Sequence, residues 1–191
     1  MKLLHSLSVV ALMASLFSVV ALAKTDDGRS LPPLFVATAD AQGIPPTLLY
    51  AIALQESGRQ DCDKGVLTPW PWSLNVGGKS HYYATMEEAW DALNRLFKDP
   101  PRNIDIGLVQ VSWPVNRHVI HDPFLALEPT VNLAIGAQIL RECFDRLGDW
   151  WAAVGCYHSP TPKRASAYRD RVQKRWHRLW DETGRDDDRL D

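Results

Sequence analysis

Cysteine is scarce in this chain of 191 residues: Cys62, Cys143 and Cys156 are the only three, and no two form a Cys-x-x-Cys pair. Three isolated cysteines argue against a structural zinc site. No His-Glu-x-x-His helix is present to offer a catalytic one, which leaves His118 and His121 short of a third ligand. No metal and no cofactor are expected. An excess of charge of one sign is missing too, with 21 Lys and Arg against 23 Asp and Glu, which argues against a globally basic nucleic-acid binder. Internal repeats and low-complexity tracts are absent.

What is present begins with a leader. Lys2 supplies a positive start, Leu7 to Val20 an apolar stretch, and Ala21-Leu22-Ala23 a small-x-small cleavage site, the pattern of a secretory signal peptide cut after Ala23. The alternative is a retained membrane anchor, against which Lys24-Thr25-Asp26-Asp27 reads as a mature N-terminus. No cysteine follows the cleavage site to carry a lipid. About 168 residues then remain, enough for one domain with a core and too few for two ordinary ones. Export takes all three cysteines to an oxidising, periplasmic compartment, where one pair can close as a disulfide and leave one thiol free. Which pair closes does not follow from the sequence.

Helical periodicity dominates the mature chain. After a lead through Leu34, Phe35 and Val36, Pro45-Pro46 opens a helix whose stripe is Leu48, Leu49, Ile52 and Ala53, with Gly58 as its stop. The stretch from Asp61 to Ala84 behaves differently. Gly77-Gly78 between Ser73–Val76 and Lys79–Ala84 predicts a small β-hairpin, because both glycines accept the positive φ of a tight turn. Thr85 with Glu88 forms a capping box for a helix that turns Ala89, Leu93, Leu96 and Phe97 inward and stops before Pro100-Pro101. A short extended piece, Asn103 to Ile106, precedes Gly107-Leu108-Val109-Gln110, and a Pro- and His-rich loop runs on to Pro129. Val131 to Leu147 then reads as a helix with Leu133, Gly136, Ala137, Leu140, Phe144 and Leu147 on one face. Trp150 to Tyr157 is another. The last helix, Arg164 to Trp180, turns Ala165, Tyr168, Val172, Trp176 and Leu179 to one side and carries Arg164, Arg169, Arg171, Lys174, Arg175 and Arg178 on the others. That basic run is a solvated face or a contact for an anionic surface.

Glu56 occupies the next position on the apolar stripe of the helix after Pro46. Burial penalises the charged form of a carboxyl and raises its pKa, the property of a general acid that must hold a proton near neutral pH. The alternative is a buried Glu satisfied by a cation or a backbone amide.

The surroundings of Glu56 carry a resemblance. Ala53-Leu54-Gln55-Glu56-Ser57-Gly58 resembles the first motif of the soluble lytic transglycosylase family, which cleaves peptidoglycan on a lysozyme-like fold. Gly107-Leu108-Val109-Gln110 is similar to that family's Gly-Leu-Met-Gln, Asn132 to Leu140 to its Asn-x-x-x-Gly-x-x-x-Leu helix, and Ala152 to Tyr157 to its Ala-x-x-x-Tyr-Asn-x-Gly block. The four motifs fall in the family's order over roughly Ile44 to Tyr157. Two departures stand out: Val109 replaces Met, and Tyr157-His158-Ser159-Pro160 stands where the family has Tyr-Asn-x-Gly. The Trp70-Pro71-Trp72 segment is similar to variants carried by conjugative elements and type IV secretion systems.

The resemblance implies a mainly α, α+β lysozyme-like fold, with a small hairpin lining the cleft and Glu56 as the sole catalytic carboxylate. It implies a monomeric enzyme acting on peptidoglycan glycan strands, with secretion or conjugation proteins as further partners. Glu56 would protonate the glycosidic oxygen between N-acetylmuramic acid and N-acetylglucosamine, and attack by the muramoyl 6-hydroxyl would give a 1,6-anhydro product. Ser57, Gln110 and Tyr157 are expected at the substrate or beside the acid, and Trp72, with Trp70, Tyr82 and Tyr83, either stacks on sugar or packs on the domain. Asp105 is the one candidate second carboxylate. If it activates water the enzyme is a lysozyme-type hydrolase, and the alternative is loop hydrogen bonding, which is favoured. A peptidase built on Cys156 and His158 is disfavoured, since residues two apart on a helix point in different directions. A non-cutting glycan-binding scaffold remains the rival from outside enzymology. The expected organisation is a leader over 1–23, a lysozyme-like domain over 24–162, a basic helix packed on it over 163–180 and an acidic tail over 181–191.

Overall fold

The computed structural model of the protein describes residues 30–61, 65–99, 101, 103–120 and 122–183, with side chains as far as Leu179. The expected leader, Cys62, His121 and the tail beyond 183 lie outside the described residues. No helix among the described residues is long and apolar enough to cross a membrane.

The architecture is mainly helical with two small antiparallel sheets, the expected α+β class. The lead around Phe35 is itself a helix, α1 (Pro33–Gln42), with a proline in its first turn and Gly43 closing it in the left-handed conformation. Helix α2 (Pro46–Ser57) is broader in its burial than a stripe. Thr47, Leu48, Leu49, Ala51 to Leu54 and Ser57 are all buried, so apolar surface on every side makes it the core's central helix. Gln55 and Glu56 are its half-buried polar pair.

The chain leaves α2 without a loop. β1 (Gly58–Asp61) pairs antiparallel with β2 (Val66–Pro69), a hairpin additional to the one expected. The expected hairpin forms as β3 (Ser73–Val76) and β4 (Lys79–Tyr82), turning at Gly77 and Gly78, both at positive φ. It continues into a four-stranded sheet in the order β4-β3-β5-β6, with β5 (Ile104–Ile106) and β6 (Val111–Ser112). Between β4 and β5, α3 (Met86–Leu96) starts on the predicted box: Thr85 Oγ1 accepts from the Glu88 amide, and the Glu88 carboxylate accepts from the Ala84 amide. Ala89 and Leu93 are buried as expected, while Leu96 and Phe97 only lean on the core.

α4 (Pro129–Leu147), α5 (Trp150–His158) and α6 (Pro162–Thr183) complete the domain. α5 packs against both α4 and α6, and α6 lies along α2, where the Trp176 indole donates to the Thr47 hydroxyl at 3.0 Å. Leu147, expected inward, is 48 % exposed because α4 has run past the core by its last turn. Cys143 and Cys156 form the disulfide, joining α4 to α5 across 13 residues of chain.

Candidate active site

The two motif loops are fixed to the helices by buried hydrogen bonds. Asn132, on the first turn of α4, donates from Nδ2 to the carbonyls of Ile106 and Ala126, both at 2.8 Å, and accepts from the Val109 amide at 3.1 Å. Gly107 sits at φ 80°, and a Cβ there would lie 2.8 Å from the Asn132 amide oxygen. One turn on, a Cβ at Gly136 would meet the Tyr157 hydroxyl at 3.2 Å and press into Val109. The Asn-x-x-x-Gly spacing is thus one face of α4, bare enough for the loop to lie on it.

Ser57 completes the anchoring. It is 1 % exposed, its hydroxyl donates to the Leu108 carbonyl at 2.6 Å and accepts from the Trp70 amide at 3.1 Å. Expected at the substrate or beside the acid, Ser57 ties α2, the Gly107–Gln110 loop and the Trp70 segment together from inside. Gln110 takes a positive φ of 47°, held there by its Nε2 donating to the Gly107 carbonyl at 2.8 Å and the Ser73 hydroxyl at 3.0 Å. The Tyr157 hydroxyl donates to the Val109 carbonyl at 2.6 Å, so the α5 tyrosine and the loop share one fixed point.

Glu56 stands at the end of α2 among these groups. Burial of its carboxyl raises the pKa to about 7, the nearby Asp105 charge adds to the rise, and Tyr168 and Arg171 pull the other way less strongly. Part of the residue's surface remains open, while the carboxyl's surroundings are dense protein. Tyr168 comes from α6, is 1 % exposed, and its hydroxyl is buried without a hydrogen-bond partner of ordinary geometry among the described residues. Its influence on Glu56 is that of a donor turned toward the carboxyl and still short of a well-formed bond. Burial first, and the Glu56 charge second, keep the Tyr157 and Tyr168 phenols protonated, well above the ordinary tyrosine range. The site therefore offers one carboxyl poised to hold or release a proton near neutrality, between two phenols that stay neutral.

Asp105 is not a loop residue. It sits in the middle of β5 with Asn75 and Ser112 as its cross-strand neighbours. Partial burial raises its pKa and a hydrogen bond with Ser112 lowers it. The favoured reading as a loop hydrogen-bonder fails because the extended piece after Asn103 is one strand of a sheet. Asp105 has a direct electrostatic path to Glu56.

A family model for the transglycosylase SLT domain matches residues 33–176. The chain belongs to that family. No curated protein and no solved structure is significantly similar to it. Membership carries a peptidoglycan-cleaving function of the lytic transglycosylase type, with peptidoglycan as substrate. The SLT match extends past the expected domain end at residue 162 and takes in Tyr168.

Tyr168 is the site residue that sequence reasoning missed. At helical spacing with Ala165, Val172 and Trp176 it reads as one more core position, and only the packing of α6 on α2 brings it to Glu56. Trp72 leans on the core with its ring edge-on to Trp70, and its indole N–H is buried without a partner among the described residues. Trp70 donates to the Tyr83 carbonyl at 2.7 Å and lies under the Arg59 guanidinium, while Tyr82 is 41 % exposed. Cys156 is held in the disulfide, which removes the thiol a Cys156–His158 peptidase would need. His158 stacks on Tyr168 with ring centroids 4.2 Å apart. A cavity of about 570 Å³ lined by His118, Val131, Ile135 and Gln138 includes none of these site residues.

Proposed function

We propose that this SLT-domain protein is a lytic transglycosylase that cleaves the β-1,4 bond between N-acetylmuramic acid and N-acetylglucosamine, with Glu56 as its proton-transfer group. The observation that carries the reading is the Glu56 carboxyl, held near pKa 7 by burial, with Asp105 as the one carboxylate among the described residues whose charge acts on it. The protonated carboxyl gives its proton to the glycosidic oxygen as that bond to the muramoyl C1 breaks. The substrate's own N-acetyl oxygen stabilises the developing positive charge. The resulting Glu56 carboxylate then takes the proton of the muramoyl 6-hydroxyl as that oxygen closes on C1, giving the 1,6-anhydro ring and restoring the acid. General acid–base catalysis of this kind contributes about 10²–10⁴-fold. The Tyr168 hydroxyl supports the cycle by stabilising the carboxylate halfway through it.

A second reading, hydrolysis of lysozyme type, is favoured by one observation: Asp105 lies half-buried in a strand rather than in a loop, and its charge acts on the acid. Two carboxyls flanking the bond are what an inverting or retaining glycosidase uses. Mass spectrometry of the muropeptides released from purified sacculi separates the readings. Anhydro-muropeptides, lost in Glu56→Gln and retained in Asp105→Asn, support the transglycosylase. Reducing-end products lost in both variants indicate the hydrolase, and intact sacculi indicate a glycan-binding scaffold.

Export to the periplasm is the companion reading, supported by the leader over residues 1–23. A chain recovered from the cytosol would contradict it, and one recovered from the cell envelope that still begins at Met1 would indicate a retained anchor in place of cleavage. The wall-opening role for a secretion or conjugation apparatus is supported by the Trp70-Pro71-Trp72 segment. It expects a strain without the protein to lose transfer or secretion, with Glu56→Gln failing to restore it; full rescue by that variant would remove the role.

A further inference from the structure

Arg164, Arg171, Arg175 and Arg178 follow one another at intervals of seven, four and three residues along α6. With 3.6 residues per turn these intervals bring all four onto one stripe about 21 Å long. Tyr168 lies at the edge of that stripe, between it and the face buried against α2, so the arginines run beside the catalytic groups. Contacts mark the path. Arg164 and Arg171 both act on His158, the Arg171 guanidinium lies 5.6 Å from the Tyr168 ring centre and within electrostatic reach of Glu56, and the Arg175 Nε donates to the Gln55 side chain at 2.9 Å.

None of the four forms a salt bridge with a carboxylate among the described residues. Acidic Asp170 pairs instead with Arg169, on another side of the helix. Among the described residues the Arg171 guanidinium donates to the Ala167 carbonyl one turn back, through one of its five N–H groups. Arg164, Arg171 and Arg178 are exposed, and Arg178 crowds Arg175 with like charge. Unpaired guanidiniums in a row are set for planar anions, which they bind through two parallel N–H donors. A carboxylate is such an anion.

We infer that this arginine stripe binds the carboxylates of the peptide stems that hang from the muramoyl residues, holding the strand against Glu56 by its side chains as well as its sugars. The inference rests on the glycan-cleaving reading of the site. It commits to the substrate rather than a lipid surface because the stripe borders the acid and its phenol, where a strand being cut must lie and a membrane cannot. Every muramoyl residue carries its stem in amide linkage to its lactyl carboxyl carbon, so the anionic groups recur along a strand that meets the row of guanidiniums.

Binding by the Glu56→Gln protein tests it without depending on cleavage. Two soluble probes are compared by titration calorimetry at about 0.1 M salt, where charge contacts act over about 10 Å: glycan strands with stems, and the same strands stripped of stems by an amidase. Stem-bearing strands are expected to bind about tenfold more tightly. That preference is expected to fall to within about twofold in Arg164→Gln/Arg171→Gln/Arg178→Gln and to return in part with Lys at the same three positions. Equal affinity for the two probes, or a preference that survives the Gln substitutions, overturns the inference. If the Gln variant loses binding to phosphatidylglycerol vesicles while keeping its preference for stems, the stripe serves a membrane instead. A wild-type protein that releases no muropeptide would sink the catalytic reading alone, since the comparison of affinities stands apart from it.

Discussion

The Tyr168 hydroxyl and the burial of Glu56 act on the same proton in opposite directions, and substitution separates them. Tyr168→Phe keeps the buried ring and removes the donor that favours the carboxylate, so the Glu56 pKa should climb above about 7. The descending limb of the kcat/KM profile should move to higher pH. The rate should fall about tenfold, since one hydrogen bond to a charged intermediate contributes about 1.5 kcal/mol. A limb that stays in place would mean that the phenol does not address the acid. Stability carries the second signature of this carboxyl. Its folded pKa of about 7 exceeds its ordinary 4.5, so below about 4.5 both states hold the proton and nothing is lost. As pH rises toward 7 the unfolded chain ionises first and the native state loses stability, reaching a plateau above 7. The shift corresponds to about 3 kcal/mol at most, and the part of Glu56 still open to solvent lowers this to about 2. Glu56→Gln should therefore melt higher than the wild type at pH 8 and converge with it toward pH 4. Parallel melting curves across that range would show that the acid is solvated.

At the level of elements, the site is a loop clamped by the first two turns of α4, and the clamp can be opened at one atom group. Asn132→Ala would strand the Ile106 and Ala126 carbonyls and the Val109 amide in a dry interior. About 1 kcal/mol for each lost bond puts the loss near 3 kcal/mol, read as a lower denaturant midpoint. Activity should fall with it, because Val109 is also the residue to which Tyr157 is tied. An unchanged midpoint would show that the loop holds itself. This clamp was legible in the sequence only as a spacing, with Asn and Gly four apart, since nothing in the residues names the loop they receive. Helices α2 and α4, the β3–β4 hairpin and the capping box before α3 were legible because prolines, Gly-Gly and Thr-x-x-Glu act locally. Helix α1 was not, since it buries only Phe35 and Ala39 among small residues and shows no contrast between faces. The β1–β2 hairpin buries neither side fully, so it lacks the alternation that marks a strand. Asp105 was misread for a related reason: three residues of strand gain their meaning from β3 and β6 on either side. Glu56 was legible as a carboxyl in apolar company, and Tyr168 was not, because a phenol at core spacing looks like core until its partner helix is known.

For the molecule as a whole, the distribution of crosslinks decides how α5 is held. Its neighbours α4 and α6 press on it from two sides, yet it is a helix of only nine residues and carries Tyr157 one position beyond Cys156. The disulfide to Cys143 closes a separation of 13 residues, for which loop entropy gives about 3 kcal/mol of stabilisation. Pairing of Cys143 with Cys156 was not deducible from three cysteines, because the choice depends on α4 and α5 lying side by side. The reduced protein should melt about 6–12 °C lower than the oxidised one, at the 2–4 °C per kcal/mol typical of a domain this size. Cys143→Ser/Cys156→Ser should melt at that lower temperature with or without reductant, whereas Cys62→Ser should keep the full response to reductant. A wild-type melting point indifferent to reductant would mean that packing on α4 and α6 alone holds α5. Since thiols stay reduced in the cytosol, the same experiment bears on the proposed export: a chain that gains this much from oxidation would reach its full stability only in an oxidising compartment. Tyr157, and through it the Val109 carbonyl on which the Gly107–Gln110 loop is pinned, would then settle where the wall is, so activity per folded molecule should also rise on oxidation.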